Sequence, residues 1–418
     1  MPVAPILPSA RSAAMKRIYS LTVPAAYLIL ALRLSAAESA PTAPAFPPEP
    51  APAVVKLSTE QIAAFRYSVE KSRLEAGLPG LAVALVQPGQ ILLLDGFGKR
   101  SAALDASVTA DTRFALGPAT AAVNSLLLAR LAAQNQLDLG APARRCWDEF
   151  RLADATATRT VTLGHLLGMT AGLPDRADTF LKAAGCSPAD LFAIAGEIPV
   201  TAQPGRAFNY SDASAALAGY LAVYAANQHH APAAGLAAGY AALANTQLFE
   251  PLGMKRATYD APSAAPGDDD AVGHIRDGKG SWQPAPAAAA PGQALLPALG
   301  LQASARDVAA WLQCEISSGL GPNGQRLLGE AAVQARWRPA AVLDSQGYGL
   351  GWAQQHYRGV EIIGHMGEQN HQSELVAILP QYRTAIAVLT NGDGHDAEVF
   401  LQNALLNLAD LLREAAGK

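Results

Sequence analysis

A serine followed three residues later by a lysine is the pattern of an acyl-transfer nucleophile beside its base: the hydroxyl attacks an acyl carbon and the amine takes the proton. Among the lysines of this sequence only Lys71 has a serine at that spacing, in "SVEK" from Ser68 to Lys71, and short matches of this kind arise readily by chance. Two other stretches hold groups able to act on a substrate. "NYSD" offers the phenol of Tyr210 and the carboxylate of Asp212, and "GHMGEQNH" offers His365, Gly367, Glu368 and His371. Paired histidines can ligate a metal, but His365 and His371 lie six residues apart with no cysteine or third histidine beside them, so no metal is assigned. "DDD" at Asp268 to Asp270 sits among prolines and glycines and reads as a solvated turn rather than a calcium loop.

The elements that must position these groups belong to a globular fold. Of the 418 residues half are hydrophobic and 16% are charged, which excludes a disordered chain and permits one two-lobed domain or two ordinary ones. The net charge of -4 and the lack of any Lys/Arg run argue against nucleic acid as a partner. Near the N-terminus, "MKRIYSLTVPAAYLILALRLSAAESA" combines Lys16 and Arg17 with an apolar run from Ile18 to Leu32, and then Ser35 and Ala37. That is the make-up of a secretory signal, with Met15 as the expected start and residues 1–39 removed on export. The alternative is a membrane anchor, although the run is shorter than the ~20 residues of a spanning helix. Residues 40–56, rich in proline and alanine, read as an extended linker. Cys146, Cys186 and Cys314 are an odd number without metal-ligand spacing, so they read as small core residues first and a disulfide pair second.

From residue 57 the pattern becomes regular. Ser58 with Gln61 predicts a capped helix that ends near Gly77. "LAVALVQPGQILLLDGFGKR" predicts a hairpin about Pro88 and Gly89. Thr112 to Gln136, the 160s and Ser211 to Asn227 carry helical spacing. Residues 256–300 read as a long surface loop with at most one short strand pair, and Ser304 to Ser317 as a helix. Strand-like runs return in "YGLGWAQQH", "VEIIGH", "SELVAILP" and "TAIAVLTN", followed by a helix from Asp396 to Glu414. Strands at both ends with helices between them predict one sheet built from 57–113 and 300–410, beside a helical lobe over 114–255.

Ten stretches in order, among them "TRFALGPAT", "VTLGHLLGMTAGLPD", "QPGRAFNYSDASAALAGYL", "YGLGW" and "GHMGEQNHQSELVAILP", resemble the serine β-lactamase and penicillin-binding-protein-like superfamily, in the branch of class C β-lactamases, D,D-carboxypeptidases and esterases. The resemblance covers about residues 60 to 400. It implies an α+β fold: an antiparallel sheet flanked by helices, an all-α lobe, and a site in the cleft between them, with no cofactor. It also implies three catalytic elements: S-x-x-K opening a buried helix, Y-x-N, and H-x-G or K-T-G on the strand lining the cleft.

Placed on this sequence, the family's F-x-x-G-S-x-x-K falls on Phe114 to Ala121 and puts Pro118 at the nucleophile and Ala121 at the base. Neither side chain can do that chemistry. Proline also lacks the backbone N–H that the resemblance assigns to the oxyanion hole, and losing one such donor slows acyl transfer by about 10²–10³. Thr120 is two residues past the nucleophile, about 200° around a helix, and is no substitute. Proline suits a first helical turn and alanine a helix interior, so these replacements spare the fold.

In the second element Tyr210 matches the tyrosine, while Asp212 stands where asparagine is usual. Asp212 must find a donor, shift its pKa, or serve as a helix cap. In the third, His365 and Gly367 match H-x-G and Glu368 follows where an N–H would face an oxyanion. His371 replaces a glycine and is expected to narrow the cleft mouth. Met169 to Gly172 replaces a polar His-Thr-Ser-Gly with "MTAG".

Three functions remain open on these residues. The first is an exported non-hydrolytic relative that binds a peptide, a cell-wall-like ligand or a protein partner through Tyr210, Asp212, His365, Gly367, Glu368 and His371. The second is an active serine hydrolase with a displaced nucleophile, and the third a scaffold whose cleft is filled. The sequence is silent on oligomeric state.

Overall fold

The structure, a computed structural model, describes residues 54–174, 181, 185–260, 269–278, 280–286, 292–343 and 346–417. The expected signal and most of the linker lie outside the described residues, as does Asp268. Helix α1 (Thr59–Ala76) begins at a reciprocal capping box, in which Ser58 Oγ accepts from the Gln61 N–H and the Gln61 amide oxygen accepts from the Ser58 N–H. It ends at Gly77, whose φ of 66° closes the last turn.

Twelve strands follow among the described residues: β1 (Gly80–Gln87), β2 (Gln90–Gly98), β3 (Arg113–Ala115), β4 (His274–Arg276), β5 (Trp282–Pro284), β6 (Gln302–Ser304), β7 (Ala341–Leu343), β8 (Gln346–Tyr348), β9 (Ala353–Tyr357), β10 (Val360–Gln369), β11 (Gln372–Leu379) and β12 (Thr384–Thr390). Eight of them form an antiparallel sheet in the order β2-β1-β12-β11-β10-β9-β8-β7. Strand β1 pairs directly with β12, so the two ends of the domain meet in one sheet. The helices that matter to the site are α2 (Thr120–Ala133), α3 (Asp212–Ala226), α4 (Ala305–Ile316), α5 (Glu330–Trp337) and α6 (Gly394–Ala415).

Every residue of β1 is buried, as expected of a central strand covered on both faces. Alternation then sorts its side chains. Leu81, Val83 and Leu85 join α1 and α6 in one cluster, whereas Ala82, Ala84 and Val86 join α4 and the helical lobe in the other. Gly89 turns the β1–β2 hairpin with φ 70°.

Two sequence expectations need correction. The stretch from Thr112 is not helical throughout: β3 comes first and pairs with β6, then a single 3₁₀ turn at Gly117–Ala119 leads into α2. Tertiary pairing overrides local spacing here, because the Ala115 N–H also donates to the amide oxygen of Gln372. Nor is the described part of "DDD" a simple solvated turn. Asp270 is 7% exposed and takes Arg113 in a two-pronged ion pair at 2.5 and 2.6 Å, while Asp269 accepts from Thr112. The three cysteines are buried free thiols, and burial pushes Cys146 up to about 11 and Cys314 up to about 12. No helix among the described residues is long and apolar enough to cross a membrane.

Helix α2 is almost wholly buried. A buried ion pair fixes its register: Arg336 of α5 meets Glu315 of α4 at 2.8 and 3.0 Å with side-chain exposures of 1% and 0%. The same guanidinium donates to Ser125 Oγ and to the Ala122 carbonyl, and the Trp311 indole N–H donates to Glu315. Removing one partner strands a buried charge, at a cost of about 3–5 kcal/mol, whereas replacing both by apolar groups can be neutral. Arg336→Met is therefore expected to lower unfolding free energy by about that amount in urea melts, and Arg336→Met with Glu315→Leu to recover most of it. A double variant no more stable than the single would show that packing, not charge, is at stake.

Candidate functional site

The site forms where the start of α2 meets the middle of β10. Proline sits in the 3₁₀ turn that opens the helix, a place that needs no N–H for the helical ladder. Its ring rests on the strand so closely that a Cβ on Gly367 would fall 2.5 Å from Pro118 Cγ. One turn on, Ala121 presses on the loop before β9, where a Cβ on Gly351 would lie 2.5 Å from the Ala121 carbonyl oxygen. Only glycine fits either position.

His365 lies two residues before Gly367 on the same face of β10. It is 5% exposed, and its Nε2 lies 2.8 Å from the Gly351 carbonyl. A carbonyl can only accept, so the proton is on Nε2, which also reaches Tyr348 Oη at 3.4 Å. Burial holds the imidazole neutral, with its pKa down to about 4. Tyr348, fully buried, packs edge-on against both His365 and Tyr210, and burial drives its phenol well above the usual range. Tyr210 Oη donates to Asp212 Oδ1 at 2.9 Å. Asp212 thus finds a donor in its neighbour rather than capping the helix: it is the first residue of α3, and the N-cap Ser211 makes no side-chain cap bond. Pro118, Ala121, Tyr210, Asp212, His365 and Gly367 accordingly meet around one junction of the two lobes.

Glu368 and His371 point elsewhere, a correction to their expected place in the cleft. Alternation turns Met366 and Glu368 to the opposite face, where Met366 packs with the α1–α6 cluster and the Gly394 N–H donates to Glu368 Oε2. His371 Nδ1 lies 2.6 Å from Asp393 Oδ2, just before α6. Burial and the neighbouring Asp393 raise the Glu368 carboxyl. His365 and His371 therefore share no ligand position. Met169 and Ala171 are buried in the core, and Thr170 Oγ1 reaches the His165 carbonyl.

Sequence reasoning missed Glu374, an acid beside the nucleophile position. It faces Gly367 across the β10–β11 ladder and is wholly buried. Oε1 accepts from the Ala119 N–H at 3.4 Å, and Oε2 has no hydrogen-bond partner among the described residues. A Cβ on Gly367 would sit 2.9 Å from Oε1, and one on Gly117 3.3 Å from Oε2. The carboxyl is thus wedged between the 3₁₀ turn and the strand. Burial, reinforced by the charges of Glu368 and Asp212, lifts it well above the usual carboxylate range, in the direction that favours the neutral acid. A lone glutamate inside the apolar run "SELVAILP" was the available signal. Its target depends on cross-strand register.

The "SVEK" motif lies outside the junction. Ser68 Oγ donates to the Phe65 carbonyl within α1, and Lys71 pairs with Glu75 on its exposed face. Ser125 is held by Arg336, Thr120 Oγ1 accepts from the Leu301 N–H, and Ser211 Oγ is buried without a partner among the described residues. Although the sequence has no basic run, the fold gathers Arg144, Arg145 and Arg159 around one open groove of the helical lobe.

The two buried acid-base groups give opposite pH dependences. A depressed histidine pKa means that below about 6.5 the unfolded chain binds a proton the folded chain refuses, so stability falls from pH 6.5 to 4, by roughly 2–4 kcal/mol. A raised glutamate pKa means that the folded chain keeps a proton the unfolded chain releases, so stability falls as pH rises above about 4.5. Urea melts from pH 4 to 8 are expected to lose part of their acid-side slope in His365→Gln and part of their fall toward pH 8 in Glu374→Gln. Unchanged profiles would remove these side chains from the pH response.

A family model described as Beta-lactamase matches residues 62–411. Penicillin-binding protein 4 of Amycolatopsis lactamdurans is 27% identical over 331 residues, covering 77% of this chain and 82% of that protein. Protein flp of Staphylococcus aureus strain MW2 is 20% identical over 330 residues, and the match spans 61% of its length. Among solved structures, the octameric penicillin-binding protein homologue from Pyrococcus abyssi superposes with a TM-score of 0.67 at 20% identity, covering 84% of this chain and 77% of that one. The crystal structure of SurE gives 0.66 at 22% identity over 86% of this chain and 77% of its own. With the sheet, the helical lobe and the junction between them already in place, the match over residues 62–411 settles the affiliation: the chain belongs to the Beta-lactamase family.

Proposed function

We propose that this protein is an exported, non-hydrolytic member of its family that uses the junction between the lobes to bind a peptide or cell-wall-like ligand, or a protein partner, without acyl transfer. The observation that carries the reading is the start of α2. Pro118 offers neither a hydroxyl nor an N–H, and Ala121 offers no amine. The wholly buried Glu374 lies against the same turn. An acid group at the start of a helix occupies the end where the dipole would favour a developing oxyanion. Nucleophile, base and one oxyanion donor are therefore missing together. Tyr210, half-buried and tied to Asp212, is the polar group best placed to meet a ligand.

The displaced-nucleophile reading has less support: Ser68 and Lys71 face away from each other's chemistry on α1, each engaged by its own helix. Incubation with a fluorescent penicillin and with a fluorophosphonate is expected to leave the chain unlabelled, and a covalent adduct would end the non-hydrolytic reading. Calorimetry with a muropeptide-type ligand is expected to give saturable binding that Tyr210→Phe weakens by about 5–30-fold, a loss of one cleft hydrogen bond. No binding by the unaltered chain would favour the filled scaffold. Export predicts that N-terminal sequencing of the secreted chain starts near residue 40.

A further inference from the structure

On the face of the sheet opposite Pro118, three chain segments bring together side chains that the proposed binding junction does not use. Glu368 comes from the end of β10, His371 from the turn between β10 and β11, and Asp393 from the residue before α6. One donor atom from each lies within 4.8 Å of the other two. All three are half-buried, so solvent reaches them and coordination positions stay open.

Two local features show that these side chains face one another by construction. Asp393 occupies the N-cap of α6, where an aspartate ordinarily accepts from the N–H groups of the first turn. Its side chain makes no such bond and turns instead to His371 Nδ1 at 2.6 Å. The Gly394 N–H goes to Glu368 Oε2, which orients the second carboxylate toward the same point. The turn is the other feature. Asn370 and His371 have φ of 54° and 57° between the paired residues Gln369 and Gln372, a two-residue hairpin turn whose second position ordinarily takes glycine. A histidine there works against backbone preference, and its imidazole is delivered to Asp393.

We propose that Glu368, His371 and Asp393 form a binding site for one divalent transition-metal ion of the zinc class. One imidazole nitrogen and two carboxylate oxygens are the mixed donor set that zinc accepts, while magnesium and calcium prefer oxygen alone. The ion draws together two carboxylates that otherwise repel. It links the hairpin carrying Gly367 and Glu374 to the start of α6, and water fills the remaining coordination positions. On binding, the proton that Nδ1 shares with Asp393 moves to Nε2, which frees the Nδ1 lone pair for the ion, and the Asp393 carboxylate turns from the ring to the metal.

The test is titration of the full chain with Zn²⁺ by calorimetry and with Co²⁺ followed by its visible absorption. The controls are His371→Gly, which suits the turn and leaves the hairpin intact, and Asp393→Asn, which keeps the shape. The unaltered chain is expected to bind one ion, to show a cobalt spectrum of low coordination number, and to melt at higher temperature with Zn²⁺. Both variants are expected to lose about 100-fold in affinity and the Zn²⁺-dependent rise in melting temperature, while their far-UV circular dichroism stays unchanged. Binding by the variants equal to that of the unaltered chain would place the metal elsewhere, and no binding by the unaltered chain below about 1 mM would overturn the site outright.

Discussion

The ion pair of Arg336 with Glu315 is the constraint on which the site depends. Neither side chain is exposed to solvent, and between them they bind α4, α5 and α2 into one unit. Helix α2 has few polar groups of its own, so its register against the sheet could otherwise slip along a largely alanine and leucine surface. A guanidinium that reaches both Ser125 and the Ala122 carbonyl pins it one turn beyond Pro118. Asn124 adds a second tie, donating to the Ala215 carbonyl of α3. The position of the helix start, and hence of every contact made by Pro118 and Ala121, follows from these bonds.

With the helix start fixed, the junction is shaped by close approach. At Gly351 the chain meets the α2 backbone, at Gly367 it meets the Pro118 ring, and the space left between the 3₁₀ turn and β11 holds the Glu374 carboxyl. A buried acid with one long hydrogen bond and one oxygen unpartnered among the described residues is a costly thing to keep. Its neutral form reduces that cost. The carboxyl takes up the space beside the helix N-terminus, which supports the proposed non-hydrolytic reading.

Much of the frame was legible in the sequence because it rests on short-range physics. Ser58 and Gln61 set the start of α1, Gly77 its end, and the two apolar runs around Pro88 and Gly89 a hairpin. The pairing of the chain ends followed from strand patterns at both ends. What failed was non-local. Helical spacing from Thr112 concealed β3, which exists because Gln302 to Ser304 and Gln372 are there to pair with it. "DDD" looked solvated because Arg113, the half-buried partner of Asp270, is more than 150 positions away. Glu374 and Asp393 could not be placed without the strand register, and alternation along β10 sent Glu368 away from the cleft while keeping His365 and Gly367 in it.

The residues that match the family best, His365 and the "YGLGW" stretch, are also the ones that packing alone would preserve. His365 is neutral, buried, and bonded to the Gly351 carbonyl; Gly351 cannot carry a side chain because Ala121 lies beneath it; Tyr348 fills the space between His365 and Tyr210. Replacing any one of them leaves a buried polar group without a partner or creates a clash, a penalty of about 1–3 kcal/mol whatever the protein does. Pro118 and Ala121 face the opposite situation. They occupy helix positions where proline and alanine are at least as good as serine and lysine, so stability does not resist their replacement. Stability and chemistry therefore pull on different residues of the same junction. A site that keeps the first set and lacks the second is what the proposed non-hydrolytic reading would lead one to expect.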